Sequence, residues 1–127
     1  LKYEALYRLT TEQGGATVRL KDYPETIAFP TKGFAVGDGQ NGMVLVSEGI
    51  PEVDEARFDA AIDWALAEFP GWDFEYMGTW IDGTQLYVDP VNVFASRDFA
   101  MGVAFERGEQ AIFDLANKKT IQIRRKK

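Results

Sequence analysis

The stretch that most constrains the fold is residues 74–90, in which two runs rich in aromatic and β-branched residues flank Asp82-Gly83. Asp-Gly between such runs marks a tight hairpin, because both residue types tolerate the positive φ that a two-residue turn needs. Its aromatics, Phe74, Tyr76, Trp80 and Tyr87, predict that this hairpin is the most buried part of a sheet. It identifies a core and not a reaction.

Helical signals stand on either side. Asp54 is a good N-cap for a helix over residues 55–69, in which Phe58, Ala61, Ile62, Ala65, Leu66 and Phe69 recur at three- and four-residue spacing. Pro70-Gly71 stops it, and Trp64 sits at the edge of the apolar stripe. Ser96 caps a second helix over 97–107, with Phe99, Ala100, Val103 and Ala104 on one face, Met101 and Phe105 beside them, and Gly108 as terminator. Strands are expected at 33–37, 43–46, 110–115 and 120–123. Residues 38–42 read as a turn-rich connection. They lack the glycine spacing of a phosphate loop and the several carboxylates of a calcium loop. Residues 22–32 read as an ordered loop pinned by Ile27 and Phe29.

The N-terminal stretch fits two periods. Tyr3, Ala5, Tyr7 and Leu9 alternate as in a strand, interrupted by Leu6, and a helix over residues 1–9 competes. Taken as a strand, it forms a first hairpin with residues 16–21 across Gly14-Gly15. The sum is an α+β domain over residues 1–123: a mostly antiparallel sheet of about six or seven strands with two helices on one face, and room for a local parallel pair. A basic tail, 124–127, follows.

Composition narrows the chemistry. The 127 residues contain neither Cys nor His. Disulfides, thiolate metal sites and every catalytic device built on imidazole or thiol are therefore excluded within this chain. This points away from an enzyme and leaves no cofactor or metal to expect. The pairs Asp73/Glu75 and Asp82/Asp89 can be imagined as acid–base couples, but Asp82 is needed by the turn and Asp89-Pro90 reads as a strand ending. No apolar run is long enough to span a membrane. The opening Leu1-Lys2-Tyr3-Glu4 argues against an uncleaved signal peptide, and Leu1 is not an initiator methionine.

Net charge is −6, with 20 acidic residues against 14 basic, four of them in the tail; the remainder is therefore at −10. Such a body repels nucleic acid. Residues 48–75 hold nine acids and one base, Arg57. Within the helix Glu55, Asp59 and Asp63 stack at i, i+4 and i+8, where like charges cost roughly 0.2–0.5 kcal/mol per pair. They pair with N-terminal bases such as Lys2, Arg8, Arg19 or Lys21, or simply keep the protein soluble, or form, with Trp64, a docking face for a partner protein with a basic surface, of which mimicry of a nucleic-acid backbone is the stronger version.

From residue 78 onward, Gly78-Thr79-Trp80-Ile81-Asp82-Gly83, Leu86-Tyr87-Val88-Asp89-Pro90-Val91, Ser96-Arg97-Asp98 and Gln110-Ala111-Ile112-Phe113-Asp114-Leu115 follow in order. This pattern resembles the C-terminal module of small accessory proteins of bacteriophages and prophages, notably those of actinobacteria. Gly14-Gly15-Ala16-Thr17-Val18 and Pro30-Thr31-Lys32-Gly33-Phe34-Ala35-Val36 resemble the N-terminal part of the same group. The resemblance carries no catalytic residues. It implies an accessory protein in the host bacterial cytoplasm that binds a host or phage macromolecule. Other readings are a small-molecule pocket beside Tyr76, Trp80 and Tyr87, and a virion component.

Overall fold

The computed structural model describes residues 2–21, 23, 27–46, 54–72 and 74–124. The chain starts with a helix, α1 (Glu4–Gln13), and not with the expected strand. Leu6 and Thr10 decide this: both are fully buried, one turn apart, and the Thr10 hydroxyl donates to the Leu6 carbonyl at 2.7 Å. Tyr3 is buried as well, three positions from Leu6, and an alternating pattern would have turned those two to opposite sides. Gly14, at φ 83, ends the helix, and β1 (Gly15–Arg19) follows at once. There is thus no N-terminal hairpin.

Next come β2 (Phe34–Gly37), a 3-10 turn (Gly39–Asn41) and β3 (Met43–Val46). Then follow α2 (Glu55–Glu68), β4 (Tyr76–Asp82) and β5 (Gln85–Phe94). The chain closes with α3 (Arg97–Arg107), β6 (Ala111–Asp114) and β7 (Lys119–Gln122). The predicted caps are in place. An Asp54 carboxylate oxygen accepts from the Arg57 N–H at 2.8 Å and the Ser96 hydroxyl from the Phe99 N–H at 3.2 Å. Asp114 tightens the β6–β7 turn by accepting from the Asn117 backbone and side chain. Those bonds hold its carboxyl below the usual carboxylate range.

The result is an α+β fold with a curled antiparallel sheet. Strand order is β1-β4-β5-β2-β6-β7, with β3 beside the first half of β5. Every pairing among the described residues is antiparallel, so the local parallel pair does not occur among them. Among the described residues the helices number three, one more than expected, because residues 4–13 form α1 in place of the expected strand. All three pack on the same sheet face. Leu6, Phe58, Ile62 and Phe69 meet Val18, Met77, Leu86 and Val88 there, while Ala100 and Ala104 meet Val36 and Ile112. Each large side chain in this layer contributes on the order of 1.5–3 kcal/mol by burial. Thr79, the one polar residue of β4 on this face, shares a 2.7 Å hydrogen bond with Thr10.

Two expectations about burial are overturned. The hairpin is deeply buried, but through Met77, Leu86 and Val88 and not through its aromatics: Trp80 is 45% exposed with Tyr87 on the same outward face, and Tyr76 packs there against a small cluster of Ala35, Val91 and Leu115. In α3 the alanines are buried, and Phe99 and Phe105 stand 60% and 53% exposed. Small residues at 100 and 104 let that helix approach the sheet closely, which swings its phenylalanines outward. Ile27 is likewise exposed, whereas Phe29 packs on the core as predicted.

The hairpin turn consists of Gly83 and Thr84, because Asp82 still pairs with Gln85. Positive φ falls on Gly83 alone, at 61°. The long strand β5 then passes straight through Pro90. β3 pairs with it up to Val88 and β2 from Val91 onward. Pro90 lies in the gap between those two partners, and its carbonyl accepts from the Asp38 N–H at 2.8 Å. Strand N and C=O groups of one residue point the same way, so the missing proline N–H faces this gap, where no ladder bond is lost.

Candidate functional site

The acidic line of α2 lies against the start of α1. Asp59 accepts from the backbone N–H groups of Lys2 and Tyr3 at 3.2 and 3.3 Å. This places negative charge at the helix N-terminus, where the dipole favours it. Asp63 accepts from the Lys2 ammonium at 3.0 Å and from the Tyr3 hydroxyl. The Tyr3 bond, then Lys2, hold the Asp63 carboxyl below its ordinary range. Burial, followed by Asp63, pushes the Tyr3 hydroxyl up, and burial with Asp59 nearby pushes Tyr23 up to about 12. Glu55 is exposed in the first turn of α2. Trp64 is half-buried, edge-to-face with Phe69 at 5.4 Å, on the rim of the core. Glu48, Glu52 and Asp73 of the acidic segment lie outside the described residues.

A different constellation forms on the sheet face without helices. There Trp80 and Tyr87, directly opposite in the β4–β5 register, stack at 4.5 Å and 19°. The Tyr87 hydroxyl donates to the Gln85 side chain at 2.7 Å. Val44, opposite Tyr87 on β3, is 48% exposed. Across β1 from Trp80 stands Gly15, where even a methyl group would touch the Trp80 Cβ at 3.0 Å. The aromatic pair therefore has a side-chain-free flank. No helix among the described residues covers this face.

Asp89 lies on the same face, diagonal to Trp80, where β5 changes partner. Its carboxylate lies over Gly42: a Cβ there would sit 2.0 Å from Oδ1. Gly37 is also within contact distance, and the Gly39 N–H donates to Glu109 at 2.7 Å. Burial, then the negative charges of Glu109 and Asp38, raise the Asp89 carboxyl to about 6, against a side-chain hydrogen bond from Trp80. Arg107, two residues before Glu109, is directed elsewhere, to the Val36 and Gly37 carbonyls and to Asn92. The ion pairs formed among the described residues, Lys2–Asp63, Arg8–Glu4 and Arg19–Glu75, do not involve Asp38 or Asp89.

The pair Asp82/Asp89 imagined from sequence is not formed, since the two residues lie at opposite ends of the hairpin register; Asp89 faces Asp38 and Glu109 instead. Residues 38–42, read as a plain connection, help to form this arrangement. The overlooked signals were glycines at 37, 39 and 42 beside an Asp-Pro pair, and their meaning depends on strand pairing. Among the described residues no group of three acids converges closely enough to hold a metal ion, and no helix is long and apolar enough to cross a membrane. An open hollow on α3, lined by Asp98, Phe99, Gly102, Val103 and Glu106, has no convergent polar groups buried in it. No protein-family model matches this chain, and neither curated proteins nor solved structures gave a match.

Proposed function

We propose that this protein works by binding another protein, one with a basic surface, and that the open sheet face around Trp80 and Tyr87 makes the contact. By the resemblance in its sequence, the setting is that of a phage or prophage accessory protein in the host bacterial cytoplasm, acting on a host or phage factor. The observation that carries the reading is the stacked, half-exposed Trp80–Tyr87 pair beside exposed Val44, on a face left open by all three helices. Large rigid aromatics of this kind dominate binding energy at protein interfaces. The charges around them are negative: Asp82 at the turn, Asp89 diagonal to Trp80, and Asp38 and Glu109 beside Asp89. The partner surface that complements them is basic.

The acidic line of α2 is the competing face, and its residues require gentle substitution. Because Asp59 and Asp63 hold α1, changing them to Lys would disturb the fold; Asn keeps the geometry. Wild type, Trp80→Ala and Asp59→Asn/Asp63→Asn are immobilised in parallel and exposed to bacterial lysate. A protein that is kept by the α2 variant, lost by Trp80→Ala and released by salt supports the reading. A protein lost only with the α2 variant moves the interface to that helix, and one insensitive to salt removes the basic surface from the proposal.

A further inference from the structure

We propose that the Trp80–Tyr87 pair and Asp89 together form a seat for an arginine side chain of the partner. This deepens the reading above and rests on it. A guanidinium needs a π face to lie on and a carboxylate at its edge. The open face supplies both within one diagonal of the hairpin: the stacked rings at Trp80 and Tyr87, and the Asp89 carboxylate beside the indole. Gly15 leaves one flank of the indole without a side chain, and Gly42 lets the Asp89 carboxylate lie directly over its backbone, which holds that carboxylate in place beside the indole.

Charge gives the second argument. Asp89 is held beside Asp38 and Glu109, all of one sign, and Arg107 is turned to carbonyl groups on the other side of β2. Burial and those neighbours raise the Asp89 carboxyl to about 6. A bound cation reverses that penalty, because it favours the charged form. Binding is therefore coupled to proton release from Asp89. Among the groups facing it, Asp38 and Glu109 carry charge, and Trp80 contributes a hydrogen bond. Arginine suits the site better than lysine, because its planar cation stacks on an indole and still offers edge N–H groups to a carboxylate.

The test uses the whole chain, labelled with nitrogen-15, and three peptides: acetyl-(Gly-Arg)3-amide, its citrulline counterpart, which keeps the shape without the charge, and its lysine counterpart. The readout is the Trp80 indole N–H signal with the backbone signals of Gly42 and Asp89. The arginine peptide is expected to shift these signals to saturation, the citrulline peptide to leave them in place, and lysine to bind more weakly. Asp89→Asn, which preserves size and the bond from Trp80, is expected to weaken binding by roughly fivefold. It also abolishes the weakening seen in wild type as pH falls from 7 to 5. Equal response to arginine and citrulline, no response at Trp80, or shifts confined to α1 and α2 around Asp59 and Asp63 would overturn the arginine seat. If that happens while lysate capture still depends on Trp80, the open face stays the docking surface and only its ligand chemistry is wrong. If capture is also independent of Trp80, both proposals fail.

Discussion

Alternate residues of the β4–β5 hairpin occupy two different environments. Met77, Thr79, Leu86 and Val88 face the helices, fully or almost fully buried, and the one polar group among them is matched by Thr10. Tyr76, Trp80, Tyr87 and Asp89 face the other way, partly exposed, over positions where Gly15, Gly37 and Gly42 remove side chains that would otherwise cover the sheet. The period of two in a strand lets one hairpin serve both purposes. Most of the burial lies on one side; the other carries a smaller buried cluster, Ala35, Val91 and Leu115, beside surface features that a partner can read.

The largest effects are expected on the covered face. Phe58→Ala or Leu86→Ala should cost about 3–5 kcal/mol in urea unfolding, because each empties a fully buried site. A cost below about 1 kcal/mol would remove the contrast between faces. Gly42→Ala comes next, at about 1–3 kcal/mol. Its backbone, φ −96 and ψ −176, suits any residue, so the cost arises from crowding against Asp89 and the Val88 carbonyl. The same substitution should displace the Asp89 carboxylate and change the Trp80 fluorescence.

Asp89 should respond with the opposite sign. Its folded-state pKa, about 6, exceeds the ordinary 3.8. The charged form is thus penalised in the folded state, fully above pH 6 and not at all below about 3.8. Stability from this group accordingly rises as pH falls through that window, by an amount on the order of 2 kcal/mol. Asp63 and Asp114 are shifted downward and act the other way, losing their contribution as pH falls through their depressed values. Wild type should therefore gain stability from pH 7 to 5 and lose it below 4. Asp89→Asn should be more stable than wild type at pH 7 by about 1–2 kcal/mol and lack the first rise. A flat wild-type profile between 7 and 5 would refute this. The smallest effect is expected for Trp80→Ala, within about 1 kcal/mol by thermal unfolding despite the size of the side chain removed. A loss as large as that of Leu86→Ala would show that the open face also supports the fold.

Where local chemistry decides, the sequence was readable. Asp54 and Ser96 mark helix starts, Gly108 marks an end, and Met43–Val46 has its observed bounds, because each signal acts within a few residues. Where the answer depended on distant residues it was not. Tyr3 and Tyr7 fit either period, and only the packing of both Tyr3 and Leu6 into the core selects the helix. The hairpin aromatics carry no mark of which face the helices will cover; that depends on α1 and α2 docking against Met77 and Leu86. Asp89 reads as a strand ending until β5 is known to change partner beside it. For α2, the pairing of its acids with Lys2 was one of several readings open from sequence, and it is a contact observed.

The attachment of α1 has a consequence for synthesis. Its bonds to α2 span 57 residues at Lys2–Asp59, and its buried contact with β4 spans 69 at Thr10–Thr79. A ribosome adding about 5–20 residues per second therefore leaves α1 and β1 without α2 and β4 for roughly 3–14 s. During that interval the apolar side of α1, with Tyr3, Leu6 and Tyr7, can meet only β1 and Tyr23. Its contacts with α2 and β4 are therefore among the last to form.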